Sequence, residues 1–386
     1  MKRDDTIKPY IPKRTVIFCG ICLCILIASL IRKDVEYSGL ENRTMEFFRW
    51  PTADSIISGE WFDAFETYNL DQVAGRDLFV RTNTRILRSM GKRQLNQITA
   101  CDDEDATILM ITYDFPDPVR VSDDFTDSVL VPLSNAARSY GGQFYFMNLY
   151  PRNVFFWDRF PYHRDEERSE QYLANDEDLH TLSDLGMYTV DTYGAIREHA
   201  DEYLYFISDH HYTYKGAYYS YLTLLDAINA NNPDRKPLLF PAWDQMDVIR
   251  PEGRFWGSLV SHLCDTRYEV KDYLEYALPS DFPTKYTRLE DGEPSDIPLI
   301  RQNETTEYGW FMNGDYGNTV IRTYRPELPS ILIIGCSSTD AIELMAIYDF
   351  NEMHSIDPRI FKGDIAEYVR SAKCDYVVVQ YRFELE

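Results

Sequence analysis

Apolar residues follow helical spacing near the start of the chain and form short continuous runs farther along. Between residues 55 and 88 they recur about every third or fourth position, which predicts two or three amphipathic helices. Ala106–Ile111 is typical of a buried strand, a helix is predicted over Ser128–Ser139, and Gln143–Leu149 is typical of a second strand. Together these three segments predict one βαβ unit.

The C-terminal part alternates apolar runs with helical segments most clearly. Tyr203–Ile207 is predicted to be a short strand, and a long helix is predicted over Lys215–Ala230. Later strands and helices are predicted to alternate at Ser330–Ile334, Thr339–Tyr348, Met353–Ile356, Lys362–Ala372 and Tyr376–Gln380. Such alternation predicts an α/β fold with a parallel sheet covered by helices on both faces. The segment 235–323, rich in aromatic residues, Pro and Gly, is expected to be an irregular insertion lining a cleft.

The first 33 residues have the pattern of a membrane anchor. Thr15–Ile31 is uncharged and apolar, and basic residues lie on both sides of it. A run of about 17 residues is at the short end of what spans a bilayer. A cleaved signal peptide is the alternative, but the run is long for one and no small-x-small cleavage site follows. We therefore expect a cytoplasmic tail over 1–14, a transmembrane signal anchor over 15–32, and an extracytoplasmic domain over 33–386.

The net charge and the positions of the cysteines bear on which ligands the protein is expected to bind. The formal net charge is −24, and such a surface repels phosphate backbones, which argues against nucleic-acid binding. The seven cysteines show no metal-ligand spacing, and no disulfide can be assigned from their positions. We therefore expect neither a bound metal nor a cofactor.

Two polar loops follow predicted strands and carry the candidate chemistry. The first is Ser208-Asp209-His210-His211-Tyr212, and the second is Gly335-Cys336-Ser337-Ser338. A serine in a tight strand-to-helix turn exposes its hydroxyl and has its backbone N–H near a helix N-terminus, where that N–H can stabilise an oxyanion. Asp209 can orient the imidazole of His211, two residues later, and leave the second ring nitrogen for the hydroxyl of Ser337.

Other interpretations of these loops remain open at this level. A Gly-x-Ser turn after a strand is most often a helix N-cap, without catalytic meaning. An Asp-His-His cluster also supplies ligand types that bind metals. Cys336 is a further candidate nucleophile, because a helix N-terminus lowers the pKa of a thiol, although an apolar packing role is the alternative.

The first loop resembles the signature of the bacterial DHHW family, whose members are similar to the alginate O-acetyltransferases of the SGNH superfamily. The resemblance rests on Asp209-His210-His211-Tyr212-Thr213 followed by Lys215-Gly216-Ala217, and on the Gly-x-Ser turn. Further matching positions are Glu41-Asn42-Arg43, Asp71-Gln72, Arg76-Asp77, Phe255-Trp256-Gly257-Ser258, Phe311-x-x-Gly314-Asp315 and Ile356-Asp357-Pro358-Arg359. It implies an SGNH-hydrolase-like fold in which Asp209, His211 and Ser337 form a triad, in an order permuted relative to ordinary SGNH esterases.

Two positions depart from the family pattern. The tryptophan of the signature is Tyr212, a change expected to alter packing or ligand stacking, and the aspartate of the usual Gly-Asp-Ser is Cys336. That aspartate is not the general base in this scheme, so the chemistry survives its loss, but the hydrogen bonding of the turn is expected to differ. Candidate oxyanion donors are the backbone of Ser337, the backbone of Gly257 and the amide of Asn313.

The resemblance implies acyl transfer at the cell surface. The expected activity is that of a polysaccharide O-acetyltransferase or acetylesterase, with a cell-surface glycan as substrate, and it is compatible with a membrane-bound O-acyltransferase as partner. One alternative is a noncatalytic envelope protein that binds glycan or acts as a scaffold in exopolysaccharide assembly. Another is a metal-dependent hydrolase built on the Asp-His-His loop.

Overall fold

The chain folds into two compact units. A computed structural model describes residues 12–41, 43–95, 98–101, 108–110, 120–150, 152–159, 165–253, 255, 257–264, 272–301 and 308–382. The smaller unit comprises 1–96 and 260–268, and the larger unit comprises 97–259 and 269–386.

Helices dominate the smaller unit. Its elements are α1 (Lys13–Ile31), β1 (Tyr37–Ser38), β2 (Arg43–Thr44), α2 (Ala53–Ser58), α3 (Glu60–Asp71), α4 (Arg76–Ser89) and β3 (Gln94–Leu95). The three helices α2–α4 confirm the helical pattern between 55 and 88. Thr52 is the N-cap of α2. Its hydroxyl accepts a hydrogen bond from the backbone N–H of Ser55 (3.2 Å), an arrangement that stabilises a helix N-terminus.

Helix α1 coincides with the apolar run expected to anchor the chain. Among the described residues it is the one helix that is long and apolar enough to cross a membrane, and none of its residues is buried. The tail before Pro12 lies outside the described residues.

Motifs near the start of the chain form a polar network within the smaller unit. The Asp71 carboxylate accepts hydrogen bonds from both terminal nitrogens of Arg43 (2.9 and 2.5 Å) and from the backbone N–H of Glu46 (2.9 Å). Arg76 pairs with Glu41. Burial raises the pKa of Asp71, but its hydrogen bonds and the arginine charges outweigh burial, so the net pKa is below the usual range. These residues therefore hold α3 and α4 to the preceding chain.

An eight-stranded mixed sheet is the centre of the larger unit. Its strands are β6 (Gln143–Leu149), β7 (Tyr188–Val190), β10 (Thr287–Glu290), β11 (Glu293–Pro294), β12 (Asn318–Arg322), β13 (Ser330–Ile334), β14 (Glu352–Ile356) and β15 (Tyr376–Arg382). They lie in the order β11-β10-β12-β14-β13-β15-β6-β7. The five strands from β14 to β7 are parallel, and β12, β10 and β11 continue the sheet antiparallel.

Helices cover both faces of this sheet. The helices of the larger unit are α5 (Asp123–Phe125), α6 (Val131–Arg138), α7 (Arg152–Phe155), α8 (Asp165–Asp184), α9 (Tyr193–Glu198), α10 (Tyr214–Ala230), α11 (beginning at Ser258), α12 (Asp340–Asp349) and α13 (Ile365–Ala372). Ile331 and Ile333 pack with residues of α10 and α12, whereas Leu332 and Ile334 pack with residues of α6 and α13. Burial on both faces explains why β13 is a continuous apolar run.

Three sequence-based expectations about this sheet were wrong. The βαβ unit does not form, because β5 (Ile108–Met110), the described part of the predicted strand 106–111, pairs antiparallel with β4 (Ile98–Ala100) rather than with the main sheet. Residues 203–207 form only an isolated bridge, between Tyr205 and Tyr212. The predicted irregular segment 235–323 supplies β10, β11 and β12, which makes the sheet mixed, and also the small ribbon of β8 (Asp247–Ile249) and β9 (Tyr276–Leu278).

Candidate active site

Asp209, His211 and Ser337 lie together at the carboxyl end of the parallel strands. The imidazole Nδ1 of His211 is 2.6 Å from Asp209 Oδ1, and its Nε2 is 2.9 Å from Ser337 Oγ. Asp209 Oδ1 also accepts the backbone N–H of His211 (3.0 Å), so the short Asp-x-His turn closes on itself. The carboxylate–imidazole–hydroxyl chain has the distances that general-base activation of a serine requires.

Ser337 occupies a turn between β13 and α12 that leaves its side chain within reach of a ligand. Every other residue from 331 to 347 is buried, whereas Ser337 is partly exposed. It begins a short 3₁₀ turn, Ser337–Thr339, that leads into α12. Its backbone N–H makes no hydrogen bond within the described part of the chain, and it lies at the positive end of this helical segment.

The neighbouring Cys336 is buried and contributes to the turn through its backbone. Its carbonyl accepts hydrogen bonds from the N–H (2.8 Å) and hydroxyl (2.9 Å) of Thr339. Because these bonds need only a backbone carbonyl, the turn forms with a cysteine where the family pattern has an aspartate. The His211 imidazole is directed at the hydroxyl of Ser337, which favours the serine as the nucleophile.

Tyr212 is buried beneath the same turn. Its hydroxyl donates to the carbonyl of Ser338 and accepts a hydrogen bond from Gln380 Nε2 (3.3 Å). A ring with 1 % exposure has no surface for stacking on a ligand, so the role of this aromatic position is packing. Tyr212 links the loop that carries His211 to the turn that carries Ser337.

Tyr308 covers one face of the candidate base. Its ring is parallel to the His211 imidazole, with centroids 3.7 Å apart and 2° between the planes. Such stacking restricts the imidazole to the orientation that reaches Ser337. Tyr308 comes from the segment expected to be irregular, and no local motif singles it out.

A buried carboxylate holds the start of the Asp-His-His loop. Asp272 accepts hydrogen bonds from the backbone N–H groups of Ile207 (2.7 Å) and Ser208 (2.5 Å), and from the hydroxyls of Ser208 and Tyr203. These bonds satisfy backbone groups that no strand ladder pairs, which is how this loop stays ordered without being a strand.

Arg152, the first residue of α7, supports the same loop. Its guanidinium is buried and donates to the carbonyls of Phe206, Ile207 (2.8 Å) and Asp209 (3.3 Å). Burial lowers the pKa of Arg152 to about 10, so it remains charged at neutral pH. Neither Arg152 nor Asp272 belongs to a recognisable motif, and sequence reasoning missed both.

Gly257 and Ser258 complete the surroundings of Asp209. The backbone N–H of Ser258 donates to Asp209 Oδ2 (2.8 Å), and the Ser258 hydroxyl lies 2.7 Å from Nδ1 of His210. Gly257 lies so close to the loop that a Cβ there would be 2.2 Å from the carbonyl oxygen of Ser208 and 2.5 Å from the backbone nitrogen of Asp209. The glycine is therefore required by close backbone approach.

We expect Gly257→Ala to distort the loop that carries Asp209 and His211. The added methyl group meets backbone atoms that cannot rotate away, at a cost of about 2–3 kcal/mol in the free energy of unfolding. Turnover should fall by roughly tenfold or more, because a displaced Ser258 N–H no longer supports Asp209. Urea unfolding and ester hydrolysis measure the two effects. The control is Gly194→Ala in α9, where a Cβ meets nothing within 4 Å and stability should be kept or slightly increased.

The electrostatics of the loop favour an ionised Asp209. Burial raises the pKa of Asp209, but attraction to His210 and His211 and hydrogen bonds from His211 and the Ser258 N–H outweigh it. The net pKa is well below the usual range. Asp209 is therefore an acceptor for the Nδ1–H of His211 at neutral pH, which leaves Nε2 as the basic nitrogen.

The three oxyanion candidates differ in their surroundings. The N–H of Ser337 is uncommitted and adjoins its own hydroxyl. The N–H of Gly257 already donates to the hydroxyl of Ser208 (3.1 Å). The amide of Asn313 donates to the carbonyl of Pro298 (3.3 Å) and accepts from Arg301 (3.2 Å). The backbone N–H of Gly257 is therefore committed in this conformation, Asn313 uses one of its two amide hydrogens, and the Ser337 N–H is the candidate that adjoins the attacking oxygen.

Binding of a metal ion by the Asp-His-His loop would require a change in its hydrogen bonds. Asp209, His210 and His211 each offer a ligand atom, and these atoms lie within 4.8 Å of one another. In the arrangement described above, however, Nδ1 of His211 is hydrogen-bonded to Asp209, its Nε2 lies against Ser337, and Nδ1 of His210 lies against Ser258. A metal ion would have to displace one or more of these hydrogen bonds.

Two of the motifs that match the DHHW family, one containing Asp315 and the other containing Asp357 and Arg359, meet beside the turn that carries Ser337. The backbone N–H of Gly335 donates to the carbonyl of Ile356 (3.0 Å), so the residues after β14 adjoin this turn. There Arg359 binds the Asp357 carboxylate through Nε (2.9 Å) and the Asp315 carboxylate through Nη2 (2.9 Å). The result is an ion-pair cluster with one more negative than positive group.

Two carboxyl groups are buried behind the turn, on α12. Glu343 accepts hydrogen bonds from the hydroxyls of Thr339 and Ser355, and burial raises its pKa to about 7. Burial and then the charge of Glu343 raise the pKa of Asp340 well above the usual range, and no described residue is a hydrogen-bond partner of Asp340 Oδ2. Burial therefore disfavours the ionised form of both groups.

Glu343 should make the stability of the fold depend on pH. The folded state binds the proton of Glu343 more tightly than the unfolded state, whose pKa is near 4.5, so stability falls as pH rises from about 4.5 to about 7. The loss attributable to Glu343 is about 3 kcal/mol, and Glu343→Gln should remove it. Urea unfolding at pH 5 and pH 8 measures the effect, with Glu367→Gln on the exposed first turn of α13 as control. An equal pH dependence in wild type and Glu343→Gln would contradict the assignment.

A comparison with known protein families finds a match over the segment that contains the Asp-His-His loop. The family model described as DHHW protein matches residues 183–238, which include Asp209 and His211. No curated protein sequence matches the chain.

Similar solved structures extend over most of the chain. A DHHW family protein from Eubacterium siraeum is similar with a TM-score of 0.56 and 18 % identity, over 75 % of this chain and 92 % of that one. PatB1 from Bacillus cereus is similar with a TM-score of 0.57 and 18 % identity, over 74 % of this chain and 96 % of that one. The structure of the same protein with a sulfonyl adduct is similar with a TM-score of 0.56 and 17 % identity, over 74 % of this chain and 95 % of that one. The predicted resemblance to the DHHW family is confirmed, and at these identities the solved structures show a shared fold.

Proposed function

We propose that this protein transfers acetyl groups at the cell surface through a covalent acyl-serine intermediate. The observation that carries the proposal is the continuous chain from Asp209 Oδ1 through both ring nitrogens of His211 to Ser337 Oγ, with steps of 2.6 and 2.9 Å. A partly exposed serine, a buried imidazole and a buried carboxylate in this order form the constellation that activates a hydroxyl for attack on an ester.

The first half-reaction acylates Ser337. Nε2 of His211 removes the hydroxyl proton as Oγ attacks the acetyl carbonyl, and the resulting imidazolium is stabilised by the ionised Asp209. The backbone N–H of Ser337 donates to the oxyanion of the tetrahedral intermediate. His211 then returns the proton to the leaving oxygen as the bond to the donor alcohol breaks, which leaves acetyl-Ser337.

The second half-reaction passes the acetyl group on. A hydroxyl group gives its proton to Nε2 of His211 and attacks acetyl-Ser337, and Ser337 leaves with that proton. The acceptor decides between the two expected activities: a sugar hydroxyl gives an O-acetylated glycan, and water gives acetate. The resemblance of the chain to polysaccharide O-acetyltransferases supports a glycan acceptor.

The proposed location is the outer face of a membrane. The apolar helix α1 and the basic residues that precede it support a single-pass anchor with the larger unit on the extracytoplasmic side. An envelope glycan is accessible from that side, and a membrane-bound O-acyltransferase is the kind of partner that would supply acetyl groups there.

Hydrolysis of an acetate ester tests the proposal directly. We expect the full-length protein in detergent to release 4-nitrophenol from 4-nitrophenyl acetate and to be inactivated by a sulfonyl fluoride. This probe suits the site because the similar fold of B. cereus PatB1 has been observed with a sulfonyl adduct. Turnover that a chelator abolishes would favour a metal-dependent hydrolase. Absence of both turnover and labelling would favour a noncatalytic glycan-binding protein.

A further inference from the structure

Helices α2–α4 of the smaller unit expose apolar side chains that water-soluble helices normally bury. Ile57 is 85 % exposed, Leu78 64 % and Met90, directly after α4, 76 %. Six other large apolar residues of the same segment are exposed as well, namely Ile56, Phe62, Phe65, Leu70, Phe79 and Ile86. We call these nine residues the apolar face. Its extent within one short segment distinguishes it from the isolated apolar residues found on most protein surfaces.

Helix α4 exposes several large apolar residues on one side. Of the eight exposed positions between 76 and 90, four are large and apolar, and these four recur at helical spacing on one side of the helix: Leu78, Phe79, Ile86 and Met90. The arginines Arg81, Arg85 and Arg88 lie on the other, less exposed side. A helix in water places its charged side outward, so the exposed side of α4 is suited to an apolar medium.

Hydrogen bonds hold these helices to the end of α1. The Ser29 hydroxyl accepts from the backbone N–H of Ala74, between α3 and α4 (2.9 Å), and the Tyr68 hydroxyl donates to Asp34 (3.3 Å). A groove of about 430 Å³ lies between them, lined on the α1 side by Cys22, Ile25, Leu26, Ser29 and Leu30, and on the α3 side by Tyr68, Asn69, Gln72 and Val73. The α3–α4 junction is therefore beside the last turns of the apolar helix.

We propose that the apolar face lies in the interfacial region of the bilayer that α1 spans. This inference rests on the proposed membrane anchor and is independent of the acyl-transfer site. The last turns of α1 lie where the helix leaves the hydrocarbon core. The α3–α4 junction, which is held against these turns, is therefore at the depth of the headgroups and upper acyl chains. Helices with an apolar side and cationic residues on the other lie in this region. Helix α4 has four arginines and one acidic residue in a chain of net charge −24, which further favours an anionic lipid surface.

Lipids brominated at defined depths test the position of the apolar face. The full-length protein is reconstituted in single-copy nanodiscs, and a tryptophan is added at one site per variant to the six already present. Leu78→Trp reports on the apolar face, Phe18→Trp on the apolar part of α1, and Leu239→Trp, at a 71 % exposed position of the larger unit, is the control. We expect bromine near the top of the acyl chains to quench more than about half of the fluorescence added by Leu78→Trp and none of that added by Leu239→Trp.

The three reporters separate the ways in which the proposal can fail. If Phe18→Trp is quenched by deeply placed bromine but Leu78→Trp is not quenched at any depth, the anchor is correct and the proposed position of the apolar face is wrong. If Leu78→Trp is unquenched yet protected from aqueous acrylamide, another part of this chain covers the face instead of lipid, and the proposal is wrong. If Phe18→Trp is itself unquenched, α1 does not span the bilayer and the proposal falls with it.

Discussion

Replacing Ser337 with alanine is expected to lower kcat/KM for acetate-ester hydrolysis by about 10³-fold or more. The variant loses the oxygen that lies 2.9 Å from His211 Nε2, and with it the acyl-enzyme route. Labelling by the sulfonyl fluoride should disappear in parallel. Because alanine is smaller than serine and the site is partly exposed, the fold should be retained, as a thermal unfolding midpoint close to that of the wild type would show.

The adjacent serine provides a matched control for this experiment. Ser338 is buried, and its hydroxyl has no hydrogen-bond partner among the described residues, so Ser338→Ala removes a hydroxyl one residue away without breaking a hydrogen bond there. Its kcat/KM should stay within about threefold of the wild-type value. Equal activity in Ser337→Ala and the wild type would rule out Ser337 as the nucleophile, and continued labelling of Ser337→Ala would direct attention to another residue such as Cys336.

The two adjacent histidines should differ sharply in their importance. His211→Asn removes the group that bridges Asp209 and Ser337, and we expect kcat/KM to fall by about 10³-fold. His210→Asn keeps that bridge but loses the contact of His210 with the Ser258 hydroxyl, its ring contact with His211 and its attraction to Asp209, so a smaller fall, under about tenfold, is expected. Steady-state hydrolysis of 4-nitrophenyl acetate measures both.

The same pair of variants distinguishes a triad from a metal site. A metal held by Asp209, His210 and His211 would lose one ligand in either variant, and both would then fall to a similar low activity that depends on added metal. An unequal loss that a chelator does not change is the result expected for the triad. A comparable loss in both variants would contradict the proposed mechanism.

The local sequence determined those parts of the molecule that obey a simple periodicity. Strands β6 and β13 were predicted within a residue because strands buried on both faces are continuous apolar runs. Helix α10 was predicted within a residue at its start, because apolar residues at helical spacing identify a helix that packs on a sheet. The location of the Ser337 turn followed from β13. The Asp-His-His loop was placed after a strand predicted at 203–207 that is only an isolated bridge, and the possibility that Asp209 orients His211 followed from their spacing.

Only the tertiary structure decided how the candidate site is supported. Asp272 and Arg152 hold the Asp-His-His loop from positions more than 50 residues away, and Tyr308 stacks on His211 from a segment without regular periodicity. The sheet is mixed for a related reason: β10 and β11 are too short to produce a recognisable pattern, and their pairing depends on β12 and its antiparallel contact with β14. Contacts between residues distant in sequence leave no trace in local spacing. Local spacing therefore identified the candidate reacting groups, whereas the groups that fix their orientation were identified only by the folded chain.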